Sequence, residues 1–158
     1  MAFTIIPDWW AALSNRVGGD STLSAYAPGD DSARHSRVDE AADYATKTIA
    51  NALARQYTAD SIAAFGATSA DAEMRYHALS LALYALTSHG GGRAASIEAD
   101  NTNALGWLAK VRGGQHEVPN LVKIGSAVGV GTGNAGAAGR TRLLSGGNCD
   151  YSYRNPKI

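Results

Sequence analysis

The stretch DAEMRYHALSLALYALTSHGGG, Asp71 to Gly92, decides the fold. Its apolar positions Tyr76, Leu79, Leu83 and Leu86 recur at helical spacing on one face, and Leu81, Tyr84 and Ala85 widen that face almost all round. A helix that is apolar on nearly every side has to be enclosed by others, so this one is expected at the centre. His89 followed by Gly90, Gly91 and Gly92 ends it, because glycine adopts the left-handed backbone of a helix C-terminus without steric cost.

Two further long helices are expected around it. Ala33 to Tyr57 carries Val38, Ala42, Ala45, Ile49 and Ala52 at alternating steps of four and three, with Asp39, Glu40, Asp43, Lys47 and Arg55 mostly on the other side. Ala95 to Arg112 repeats the pattern through Ile97, Asn101, Ala104, Leu108 and Val111, and Gly113-Gly114 closes it. Pro7-Asp8 opens a short helix to about Arg16, since proline suits a first turn and a carboxylate there complements the helix dipole. Gly18-Gly19 ends it, and Asp20 to Ser32, with Pro28, Gly29 and Asp30-Asp31, reads as a turn-rich loop. The expected fold class is all-α: a small helical bundle of three long helices and a short N-terminal one over residues 1–117, followed by an extended Gly-rich C-terminal arm over 118–158.

Composition breaks near Pro119. Fixing backbone costs roughly 1–2 kcal/mol per residue, so ordering the ~40 residues from there onward opposes folding by about 40–80 kcal/mol, and glycines supply no side chains to offset it. Contacts from outside the chain are therefore expected to hold the arm. Charge breaks at the same place: Met1 to Glu117 carries 9 basic and 13 acidic residues, and Val118 to Ile158 carries 5 basic and 1 acidic. The arm should seek an acidic surface on another copy or another protein; nucleic acid and a merely solvated tail are the competing readings. Leu121, Val122, Lys123 and Ile124, with Ala127 to Val130, are β-type residues too few for a sheet, and are expected to add to a neighbour's strand edge. Arg140, Arg142, Tyr151, Tyr153, Arg154 and Lys157 complete the candidate portal- or neighbour-binding set, and their mix of basic and stacking side chains also resembles a weak nucleic-acid signature.

Little else in the chain suggests chemistry. Gly131, Gly133 and Gly136 spell GxGxxG, but no βαβ unit surrounds them, so no dinucleotide cofactor is expected. His35, His77, His89 and His116 stand singly and Cys149 is the only cysteine, so no metal-ligand spacing, intrachain disulfide or preorganised nucleophile is read, and the chain is not expected to be an enzyme. Glu73 and His77, four apart, are read as helix support. Met1 to Trp10 lacks a basic leader, and the longest apolar run, about Leu79 to Leu86, falls far short of the ~20 residues of a membrane span; neither secretion nor membrane insertion is expected, and with its single cysteine the chain reads as cytosolic. Trp9 and Trp10 point about 100° apart on one helix and are candidate interface anchors, the alternative being one in the core and one along the bundle edge. Trp107 is expected in the core.

Taken together, ANALARQY (50–57), RYHALSLALYAL (75–86) and NALGWLAKVRGG (103–114), with its W-L-x-x-V-x-x-G ending, resemble the small helical head-tail adaptor (head-completion, connector) proteins of tailed phages, nearest the Mu-like phage neck protein family. The match covers about Val38 to Gly114. The resemblance implies a structural virion protein: a homo-oligomeric ring, a dodecamer where the portal is twelve-fold, docked under the portal protein. Such a ring extends the DNA channel without sequence-specific binding and is a platform for the next neck or tail protein. It places the chain in the virion neck after assembly in the host cytoplasm. Many members reach into the portal with an extended C-terminal segment. A tail-terminator type of neck or tail protein, and a small DNA-binding protein using the basic arm, are the alternative functions.

Overall fold

Asp8, Asp30, Thr58 and Asp71 each stand one residue before a helix and accept a hydrogen bond from the backbone N–H three residues on, at Ala11 (2.9 Å), Ala33 (2.8 Å), Ser61 (3.4 Å) and Met74 (2.7 Å). Each cap satisfies a donor that the helix itself leaves unpaired, a contribution of about 1 kcal/mol. The computed structural model describes residues 3–88 and 94–125, and among them the fold is all-α. The helices are α1 (Trp9–Val17), α2 (Asp20–Tyr26), α3 (Asp31–Leu53), α4 (Ala59–Ala63), α5 (Ala72–Thr87) and α6 (Ala95–Arg112). The expected stop at His89 to Gly92 lies outside the described residues.

Packing centres on α5, which lies against both α3 and α6, while α1 and α2 close one side. The stripes of α3 (Val38, Ala42, Ala45, Ile49, Ala52) and α6 (Ile97, Asn101, Ala104, Leu108, Val111) are buried throughout. Alanines along α3 bring backbones close, and Ile49, Leu53, Met74, Leu81, Leu108 and Val111 fill the centre. On α5 the buried set is Met74, His77, Ala78, Ser80 to Leu83, Leu86 and Thr87. Tyr76 and Leu79, expected on the buried face, are exposed and half-buried respectively, because the innermost line runs through Met74, Ala78 and Leu81 instead. Trp107 is in the core.

Three boundaries differ from the sequence reading. Asp20 to Ser32, expected as a loop, is helical over Asp20–Tyr26: α2 has no side-chain cap but buries Leu23 completely, and roughly 1.5–3 kcal/mol from one such leucine outweighs weak local propensity. The turn residues Pro28 and Gly29 fall in the short link that follows, with Gly29 at φ 133°. α3 begins two residues early, because Asp30 caps it, and stops at Leu53 rather than Tyr57. Ala54 to Gln56 turn the chain so that the Tyr57 ring goes inward, where it is only 2% exposed.

The chain divides into two units, Met1–Ser126 and Ala127–Ile158. The first includes Val118 to Gly125, beyond the bundle boundary expected at residue 117.

Candidate functional site

After α6, Gly114 takes the left-handed conformation (φ 69°) and the chain returns across the end of α3. Val118 is buried, and its N–H donates to the Tyr57 hydroxyl at 2.7 Å. Asn120, itself left-handed at φ 66°, donates through Nδ2 to the Ser69 carbonyl. Tyr57 and Lys123 then form an antiparallel bridge, with Thr58 N–H donating to the Val122 carbonyl (2.9 Å) and Ile124 N–H to the Gln56 carbonyl (2.8 Å). The Gln56 side chain donates to the Arg112 carbonyl (2.7 Å), fastening the end of α6 to the same point. Lys123 pairs with Glu117; that hydrogen bond holds the exposed Glu117 carboxyl below its ordinary pKa and raises that of Lys123.

This strap corrects one expectation. Leu121 to Ile124 do pair as an edge, but with Gln56 to Thr58 of their own chain rather than with a neighbour. Leu121 packs on the core, whereas Val122 (40%) and Ile124 (59%) keep much of their surface in solvent. Of the other arm candidates, Arg140, Arg142, Tyr151, Tyr153, Arg154 and Lys157 lie outside the described residues, as do the GxGxxG glycines and Cys149.

Trp9 and Trp10 are both half-buried at the start of α1. The Trp10 indole stacks on His35 of α3, with ring centroids 4.5 Å apart and planes 13° from parallel, and its Nε1–H donates to Asp20 Oδ1 at 3.2 Å. His35 is fixed in turn by Nδ1 donating to the Asp31 carbonyl (2.7 Å). A groove of about 460 Å³ opens here, lined by Asp8, Trp9, Trp10, His35 and Asp39 among others. A second groove of about 320 Å³ runs between α3 and α5 beside Tyr44, which is 45% exposed.

A third cluster joins α1, α5 and α6. Arg16 Nη2 meets Asp100 Oδ2 at 2.7 Å, Tyr76 donates to Asp100 Oδ1 at 2.9 Å, and the guanidinium lies 4.3 Å from the Tyr76 ring centroid. Partial burial disfavours the Arg16 charge, but Tyr76 and Asp100 outweigh it and its pKa is raised. Beside it, Glu73 lies 3.9 Å from His77 and 3.4 Å from His116, and Trp107 stacks on His77 at 5.0 Å. Burial pushes the His77 pKa down against the pull of Glu73. His77 Nδ1 and Trp107 Nε1 are buried without hydrogen-bond partners, which suits a neutral, packed imidazole. Among the described residues no three His, Cys, Asp or Glu side chains converge to hold a metal ion, and no helix is long and apolar enough to cross a membrane.

Comparison of the chain with protein-family models, curated proteins and solved structures gave no match. The sequence reading singled out the tryptophans but not their partners: His35 and Asp20 are 25 and 10 residues from Trp10, and only the folded α1–α2–α3 arrangement brings them to it.

Proposed function

We propose that this chain is a structural, non-enzymatic subunit of a phage head-tail connector: a ring-forming adaptor that docks under the portal, continues the DNA channel and receives the next neck or tail protein. The observation that carries this reading is the strap. Three backbone donors, Val118, Thr58 and Ile124, tie the chain down at the end of α3 and α6. The basic, Gly-rich sequence that follows Gly125 thus starts from a fixed point on a rigid bundle. A bundle that carries the acidic residues and an arm that carries the excess basic ones separate two tasks by sign: an acidic wall lets phosphates pass without gripping them, and a basic arm seeks acidic protein surfaces. The helix pattern over Val38 to Gly114 supports the same assignment.

The test is electron microscopy and native mass spectrometry of the purified chain, alone and mixed with a cognate portal oligomer. A ring of copies seated on portal is the expected result. A chain that ignores portal but binds tail components would instead be a tail protein, and salt-sensitive duplex binding without portal binding would make it a DNA-binding protein.

A further inference from the structure

The groove at the start of α1 has the chemistry of a receptor for cationic side chains. Trp9 and the stacked Trp10–His35 pair, in which each ring covers one face of the other, line it together with two carboxylates. Asp8 uses one oxygen to cap α1, leaving the other available. Asp39 is exposed, with no hydrogen-bond or ion-pair partner among the described residues. No Lys or Arg lines the groove. An Arg or Lys over a tryptophan face gains from the ring quadrupole, and planar guanidinium suits both the ring and the carboxylate.

We propose that this groove holds the Tyr151–Lys157 segment of a second copy of the chain, with Arg154 and Lys157 against Asp8 and Asp39 and the tyrosines on the tryptophans. The chain itself supplies the complementary chemistry: YSYRNPK alternates aromatic and basic residues, and past Gly125 the sequence has four basic residues against one acidic. Nucleic acid is disfavoured as occupant by the same carboxylates.

The ring reading, on which this inference rests, assigns the segment to a second copy, and reach permits it. α3 has 23 residues and, at ~1.5 Å each, is about 34 Å long. His35 and Asp39 line the groove near its start, and Gln56, just past its end, holds Ile124. The arm's origin and the groove thus lie toward opposite ends of one helix, which is compatible with a head-to-tail contact that propagates from copy to copy. From Gly125 to Arg154 the chain spans at most about 95 Å at ~3.3 Å per residue, ample to cross to a neighbour.

This inference deepens the ring reading and rests on it. Its test is sedimentation velocity of the full chain over a concentration series in low salt, without portal, with portal binding measured separately. Asp39→Lys and the pair Arg154→Glu with Lys157→Glu should each weaken self-association about tenfold, and combining all three should restore most of it. Because Asp39 is exposed and unpaired, its reversal leaves the fold intact, which circular dichroism checks. The proposal is overturned if the wild type remains monomeric throughout, or if it associates and the reversals leave association unchanged. It is also overturned if Asp39→Lys abolishes portal binding while the arm reversals do nothing, since the groove would then serve another partner. Rings on portal that form despite the reversals leave the connector reading standing and remove only this one.

Discussion

Replacing Tyr57 with Phe removes a single oxygen and isolates the bond that begins the strap. The Tyr57 ring is 2% exposed and Val118 5%, so the Val118 N–H that now donates to the hydroxyl at 2.7 Å would be left buried with no acceptor and no route to water. An unsatisfied buried donor of this kind costs about 1–3 kcal/mol, more than the net worth of the bond itself, while the ring's packing is retained. For a chain of this size 1 kcal/mol corresponds to a melting shift of about 2–4 °C, so Tyr57→Phe should lower Tm by roughly 2–12 °C. The strap can also escape the penalty by lifting, which would open the bonds from Thr58 to Val122 and from Ile124 to Gln56. Hydrogen exchange at the Thr58 and Ile124 amides should accelerate, while core amides such as Leu81 and Leu108 slow or quicken only with global stability. If Tm and both strap amides match the wild type, the hydroxyl does not anchor the strap and the fixed origin of the arm is lost as an argument.

Two other perturbations probe the α1–α5–α6 cluster. Burial lowers the folded-state pKa of His77 below its unfolded value of about 6.5, so the unfolded chain binds the proton more readily; stability is full above that pH and falls as pH drops through it toward the lower folded value. His77→Phe, which keeps a ring against Trp107, should flatten the urea midpoint between pH 7 and 5.5, and an unchanged slope would assign the acid sensitivity elsewhere. For the Arg16–Asp100 pair, whose side chains are 28% and 29% exposed, a double-mutant cycle with Arg16→Met and Asp100→Asn should give a coupling of about 0.5–1 kcal/mol that shrinks in high salt; zero coupling in low salt would refute the pair's role in fixing α1 to α6.

What was legible in the sequence was whatever repeats within one helix. The stripes of α3 and α6 keep a regular step, so Val38 to Ala52 and Ile97 to Val111 identify their buried faces unaided. α5 is apolar on so many sides that its central position can be read but not its phase, which is why Tyr76 fell on the wrong face. α2 was hidden because its propensity is weak and its stability comes from the tertiary burial of Leu23 in the core. The strap was hidden for the same reason: Val118 meets Tyr57 across 61 residues, and four β-type residues carry no mark of which edge they will join. The groove was half legible, since adjacent tryptophans stand out but His35 and Asp39 look like ordinary outer-face residues of α3.

The strap changes what the composition break means. If the chain left the bundle at Pro119, the origin of the arm would be set only by the last glycines of α6, and its direction by nothing. Instead Val118 is buried, Asn120 is bonded to Ser69, and Lys123 is bridged to Tyr57, so the chain is held on the bundle as far as Ile124. In the proposed ring, closure requires the same angle between donor and receptor on every copy. The strap and α3 fix how far the start of the connection lies from the receptor groove on each copy, and the docked contact itself has to supply the rest of that constancy. The small side chains of α3, Ala41, Ala42, Ala45 and Ala52, let α5 and α6 pack close and stiffen it. On this reading, the alanine-rich core and the basic tail are parts of one device: the first fixes the origin of the arm, and the second supplies the contact.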